Sequence, residues 1–416
     1  MNKINFLEKL SLAEGVHIPD SAWNLIQEAK ITSDFEQVFI LSKAKKDYMP
    51  FQVEYDLKVF IALLEYAHIG KVFAFSDSIS LITHELLSKA SSVNDSAELQ
   101  NMIECTLKQH IIDGHTQIYG PNGFSSMMQS VEPYFADVVL VENDGVYIIE
   151  EGFENEGAVF QYEHIKKHIF ETLPGKNNTK RYLLGSLSST KVDFLDINGY
   201  RFILHLSKTN IAQNKEELIL DVVDNLPIIY DPSYNHFDDS TRLKKYESIA
   251  KELKDKPLFI WNLVNNGGGT DQYSTKFINT LNGRSELDMT KVTMFYREEN
   301  QKCILYHEIH EHTEFSESRF KGKAIVIVNN HVYSSAEVAV LYSKLLTNTI
   351  IVGTNTGGVN QFGNIEGYLL PNSKIVVMLP TTAFFHGLMK ENIGILPDYW
   401  IDSDKPIDDI LKWIKS

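Results

Sequence analysis

Leu258-Phe259-Ile260-Trp261-Asn262-Leu263-Val264-Asn265-Asn266-Gly267-Gly268-Gly269 is the stretch that decides the fold. Its first six residues read as a buried strand. The glycines then supply a tight turn with positive φ, which no other residue adopts as readily. A helical pattern follows over Gln272 to Leu281, and another precedes the strand over Ser240 to Lys254. The same grammar recurs downstream: a strand from Ala324 to Val328, a turn, a helix from Ser335 to Leu346, and a strand from Thr349 to Val352. Repeated strand–turn–helix units predict an α/β domain with buried strands. Their turns fall at the carboxyl ends of strands, where α/β folds carry their chemistry.

The texture changes on moving outward. Residues 1–110 read as a helical N-terminal domain, with apolar positions at three and four in Phe6, Leu10, Leu12 and again in Val59, Ile61, Leu63, Leu64, Ala67. Ser33-Asp34 and Ser96 are the expected helix starts. Residues 111–215 read as a small β-rich module with hairpins turning at Asp144-Gly145 and Asn198-Gly199. Between the hairpins a helix is expected over His164 to Leu173, stopped by Pro174-Gly175. The α/β pattern occupies 216–416.

The chain has 416 residues, enough for two or three domains with large cores. With 39 basic against 55 acidic residues the net charge is −16, which disfavours nucleic-acid backbones and anionic membrane surfaces as partners. Cys105 and Cys303 are too few for a disulfide framework and lack metal-ligand spacing. No apolar run is long enough to span a membrane, and no secretory leader pattern opens the chain. The expected compartment is therefore cytoplasmic as written, or periplasmic or extracellular had a signal been removed.

Four elements could carry chemistry, and each has a bland reading beside it. The Asn265–Gly269 turn offers exposed amides for an oxyanion, or is simply a turn. It is no phosphate loop, because Gly-x-x-x-x-Gly-Lys-Ser/Thr is absent. In Asn329-Asn330-His331-Val332-Tyr333-Ser334-Ser335-Ala336-Glu337 a serine meets a helix start, as a nucleophile or as a cap. His115, in Asp113-Gly114-His115-Thr116, is a proton acceptor suited to neutral pH or a turn histidine. Glu391 precedes Gly394-Ile395-Leu396-Pro397-Asp398 as a site carboxylate or a solvated one.

In order and wording these elements resemble the C-terminal-processing (tail-specific) serine peptidases and their tricorn relatives. Ile351-Val352-Gly353, Thr356-Gly357-Gly358 and Leu370-Pro371-Asn372-Ser373 fall in the family's order between the serine segment and the final Gly-Ile-Leu-Pro-Asp. The resemblance implies a ClpP/crotonase-like ββα core and a serine peptidase needing no cofactor and no metal. It places Ser334 as nucleophile with Ser335 as fallback. The oxyanion hole falls to the amides of Gly267 or Gly268 and of Ser335. The tail-specific branch takes its base from a lysine in the turn after the nucleophile helix, but Gly357-Gly358-Val359-Asn360 has none. The tricorn branch uses an upstream histidine and a late glutamate, roles that fall on His115 and Glu391, with Lys390 a lesser alternative base. Asn262 and Val264 stand where the family usually has Asp and Arg, and no PDZ signature is recognisable in residues 117–215.

The implied partner is a peptide or unfolded protein, with an oligomer possible. A non-catalytic ligand- or peptide-binding protein on the same fold is the alternative, and a crotonase-like acyl-CoA enzyme a third reading. The histidine-dense run His307-Glu308-Ile309-His310-Glu311-His312 is not His-Glu-x-x-His. On a strand, only His310 and His312 would share a face for a metal, and an exposed strand is the expectation.

Overall fold

The structure is a computed structural model. It describes all residues except 1–14, 33–34, 45, 73–74, 152–156, 236–238, 284–288, 301 and 312–317. Phe6, Leu10, Leu12, the Ser33-Asp34 helix start and His312 thus lie outside the described residues.

Two units divide the chain, and neither is continuous in sequence. The first gathers residues 1–129, 288–312 and 361–387. Its helices include Pro50–Tyr66, Ile79–Lys89 and Ser96–His110. Pro50 opens the first of these where its missing N–H is no loss. The helix Ser96–His110 is capped by Asp95, whose carboxylate accepts from the amides of Ala97 and Glu98 at 2.9 and 3.0 Å. Asp95→Ala should cost about 1 kcal/mol, read as a lower urea midpoint at unchanged slope.

These helices bury Leu57, Phe60, Leu64, Leu99, Ile103 and Leu107 against Ile118, Val377 and Leu379 of an antiparallel sheet. The sheet runs Val16–His17, Lys302–Glu311, Thr290–Glu299, Val376–Phe385, Asp113–Gly120, Gly123–Met127, with Phe362–Leu369 also on Val376–Phe385. His307 points inward from this sheet and His310 outward, where its Nε2 lies 3.3 Å from Glu308.

The second unit holds residues 130–287, 313–360 and 388–416. One twelve-stranded sheet runs through it. Its parallel centre is ordered Leu226–Tyr230, Leu258–Asn262, Lys323–Val328, Thr349–Gly353, Tyr399–Trp400, Ile169–Thr172. Strands Leu258–Asn262 and Lys323–Val328 are almost wholly buried, which is why they read as continuous apolar runs. The helices Ser240–Leu253, Gln272–Asn282 and Ser335–Ser343 follow the predicted pattern, the last ending three residues early.

Beyond Ile169–Thr172 the sheet continues antiparallel through Arg181–Ser188, Glu132–Asn143, Val146–Glu151 and Val159–Gln161. Both expected hairpin turns form, with positive φ at Asp144, Gly145, Asn198 and Gly199. The helix expected over His164 to Leu173 does not. Only Tyr162–Ile165 is helical, and Ile169–Thr172 is a strand between Arg181–Ser188 and Trp400. Its aromatic and β-branched residues suit a pleated surface, and the sheet overrides the weak helical period.

Candidate active site

Strand Lys323–Val328 ends in the turn Asn329–Tyr333, and Ser334 follows at φ 53°, ψ −124°. A serine held at positive φ costs about 1–3 kcal/mol and persists only where its surroundings dictate it. Here the Ser334 amide donates to Val359 O at 3.1 Å and to Glu337 Oε2 at 3.2 Å. The helix Ser335–Ser343 starts immediately after, so its dipole favours negative charge at this serine.

Glu337 organises the turn. Fully buried, its carboxylate accepts from the Thr356 hydroxyl (2.5 Å), the Gly358 and Val359 amides (3.0 and 2.8 Å) and Asn360 Nδ2 (3.0 Å), besides Ser334. Burial pushes its carboxyl up to about 7, against the pull of those hydrogen bonds.

The glycine turn packs directly on the serine. A Cβ on Gly268, at φ 86°, would stand 2.5 Å from Tyr333 O and 3.0 Å from Ser334 Cβ. The backbones are linked as well, Tyr333 N–H donating to Asn266 O at 3.1 Å. Asn266 spans the turn, giving Nδ2 to Asp231 O and taking the Gly268 amide on Oδ1 at 3.1 Å. With the Gly268 amide so engaged, the amides of Gly267 and Ser335 are among those in this pair of turns with no partner among the described residues. Ser335 Oγ donates to Gly269 O at 2.7 Å, which ties its hydroxyl to the turn. Asn262, standing where a charge was expected, pairs with Asn214 and accepts the Val264 amide at 3.1 Å.

Glu391 is half-buried beside the same segment, its Oε2 accepting the Asn360 amide at 3.2 Å. Its neighbours fix the loop: Asn392 N–H donates to Gly358 O at 2.8 Å, and the Ile395 amide to Thr356 Oγ1 at 2.7 Å. The second unit therefore brings together Ser334, Ser335, Gly267, Gly268 and Glu391. Glu337, Thr356 and Asn360 complete the arrangement, and sequence reading gave them no role. Glu337 stood inside the serine motif, but donors from 356–360 left no local signal.

His115 belongs to the first unit, buried near the start of strand Asp113–Gly120. Its amide donates to Asp113 Oδ1 at 2.8 Å. Burial lowers its pKa and the Asp113 charge partly opposes that, so the imidazole is neutral and able to accept a proton at neutral pH. Among the described residues one group, Asp137, His205 and Asp402, has metal-ligand spacing. Lys208 Nζ lies 2.6 Å from Asp137 Oδ1, so a cation already serves that group. No helix among the described residues is long and apolar enough to cross a membrane.

Residues 233–401 match the model of peptidase family S41. No curated protein matches the chain. Among solved structures, a candidate peptidase from Parabacteroides merdae is similar at 15% identity and a TM-score of 0.45, covering 88% of this chain and 93% of its own. Mature CPAF is similar at 11% identity and a TM-score of 0.47, with 88% and 97% covered. The photosystem II D1 C-terminal processing protease is similar at 15% identity and a TM-score of 0.37, with 85% and 93% covered. The strand–glycine turn and the serine turn both lie inside the matched segment, so the part of the chain that carries the candidate site, residues 233–401, is similar to peptidase family S41.

Proposed function

We propose that the chain is a serine peptidase, built on a ClpP/crotonase-like core, that hydrolyses peptide bonds through an acyl-enzyme on Ser334. The observation that carries this is the positive-φ serine at a helix start, packed against a glycine turn, with the Gly267 and Ser335 amides lacking a partner among the described residues. Ser334 Oγ attacks the scissile carbonyl while its proton passes to His115. The resulting oxyanion takes hydrogen bonds from the two amides. Collapse breaks the C–N bond, and His115 returns the proton to the leaving amine. Water, deprotonated by His115, then cleaves the ester and frees Ser334. Glu391 orients and polarises the site. The substrate is a peptide or an unfolded protein segment, and no cofactor takes part.

Ser335 serves better as an oxyanion donor than as nucleophile, because its hydroxyl is tied to Gly269 O. A fluorophosphonate probe with peptide mapping tests the reading. Label is expected on Ser334 in the wild type and in Ser335→Ala, and absent in Ser334→Ala. His115→Ala should slow labelling by about 10²–10⁴-fold. A folded wild-type protein that takes no label at either serine would favour the binding-protein alternative.

A further inference from the structure

A buried polar chain in the first unit ends on the backbone of His115 and is not used by the mechanism above. It begins at Gly70, whose amide donates to His68 Nδ1 at 2.9 Å. Nδ1 is therefore an acceptor, and the ring proton sits on Nε2. That nitrogen is 2.6 Å from Thr116 Oγ1, which donates onward to Asp113 Oδ2 at 2.6 Å. Nε2 also lies 3.4 Å from Asp113 Oδ2 itself. The other carboxylate oxygen accepts the His115 amide at 2.8 Å. The His68 and Asp113 side chains are 0% and 1% exposed. A Cβ on Gly70 would stand 2.7 Å from His68 Cε1, so the glycine is what lets the ring fold back over its own turn.

The backbone held by this chain is irregular. Asp113 pairs with Met127 and Gln117 with Ser126, so residues 114–116 have no counterparts on the neighbouring strand Gly123–Met127. Such bulges re-aim a side chain out of the regular ladder. Left alone, a three-residue bulge has several conformations. The Asp113 carboxylate selects one by binding the His115 amide and the Thr116 hydroxyl together.

We propose that Asp113, braced by His68 through the Thr116 hydroxyl, is a positioning residue for His115. It pins the bulge that presents the imidazole and sets a negative charge beside it that favours the imidazolium. The inference rests on the reading of His115 as the base. Burial alone would raise the Asp113 carboxyl, but the hydrogen bonds from His68 and Thr116 and the electrostatic pull of the adjacent imidazoles outweigh it and hold the carboxyl below its usual value. The Asp113 charge acts on His115 to raise its pKa, against the effect of burial. The flanking strands Gly123–Met127 and Val376–Phe385 carry no titratable side chain, and helix Ser96–His110 packs here through Leu99, Gln100, Ile103, Thr106 and Leu107. Helix Phe35–Ser42 contributes Val38 and Phe39, and Glu366 of strand Phe362–Leu369 is paired with Lys30.

Asp113→Asn keeps an oxygen for the His115 amide and removes the charge. In the full chain, the rate of fluorophosphonate labelling at Ser334 should fall on the order of tenfold at its plateau. Its acid limb should move to lower pH, because a less stabilised imidazolium loses its proton sooner. An unmoved limb overturns the proposal even if the plateau falls, since a purely structural role would do that. Should Asp113→Asn fail to fold, Thr116→Val cuts the brace alone, and unchanged labelling in that variant overturns the proposal. His115→Ala separates the two readings. If it labels like the wild type, the base assignment fails; if it is silent while Asp113→Asn keeps its limb, only the role of Asp113 fails. An NMR titration of the His115 ring reads the same shift with no serine reactivity needed.

Discussion

Replacing Gly268 by alanine is expected to lower probe labelling of Ser334, and peptide hydrolysis with it, by about 10²-fold or more. The added methyl would lie 2.5 Å from Tyr333 O, 3.0 Å from Ser334 Cβ and 3.1 Å from the Ser335 amide nitrogen. All three are backbone or near-backbone atoms, so no flexible side chain can swing aside. Either the glycine turn retreats or the serine turn does, and both movements separate Ser334 from the Gly267 and Ser335 amides that the proposed mechanism pairs with it. Gly145→Ala is the control. Its φ is 81°, but its Cβ would meet nothing within 4 Å, so it pays backbone strain without a collision. It should lose about 1 kcal/mol of stability and keep its labelling rate. Equal labelling rates in Gly268→Ala and wild type would remove the glycine turn from the site.

Glu337→Gln is expected to destabilise the second unit by about 2–4 kcal/mol in urea unfolding. The carboxylate accepts five hydrogen bonds, three on Oε1 and two on Oε2. Even with the amide nitrogen on the less demanding side, the Ser334 and Val359 amides face a donor. The loss should depend on pH. Burial lifts the Glu337 carboxyl from an ordinary 4.5 to about 7, so the folded protein binds this proton more tightly than the unfolded chain. The wild type therefore loses stability from this group as pH rises from about 4.5 to about 7. The glutamine variant has no such loss, and the gap between the two narrows across that window. A gap that widens instead would mean that the carboxylate is held ionised.

What was legible in the sequence follows from range. The strand Leu258–Asn262 and the turns at Asp144-Gly145 and Asn198-Gly199 are decided by neighbours within a few residues, and they formed as read. Residues 164–173 failed because their weak helical period is overridden by the sheet, where Ile169–Thr172 pair with Arg181–Ser188 and, at Thr172, with Trp400 far along the chain. The pairing of Asp113–Gly120 with Val376–Phe385 was illegible because those strands too are far apart in sequence. At the site, the serine and glycine strings were visible as motifs. The convergence of Thr356, Gly358, Val359 and Asn360 on Glu337 was not, because a carboxylate's donors need share only space. His68 gave no signal at all, since nothing in its own segment announces Asp113 or Thr116.

The interleaving of the two units bears on how the molecule is made. The first unit needs Val376–Phe385 to join Thr290–Glu299 to Asp113–Gly120. On a ribosome, the N-terminal helices emerge hundreds of residues before those strands exist. Their apolar faces, Leu57, Phe60 and Leu64 among them, lack the covering strand Val376–Phe385 until residues 376–385 have been synthesised. Vectorial, domain-by-domain folding is closed to this topology, and the nascent chain passes through a long interval in which chaperone holding competes with aggregation. A ribosome stalled near residue 300 should carry a first unit still open to protease, and release of the full chain should close it.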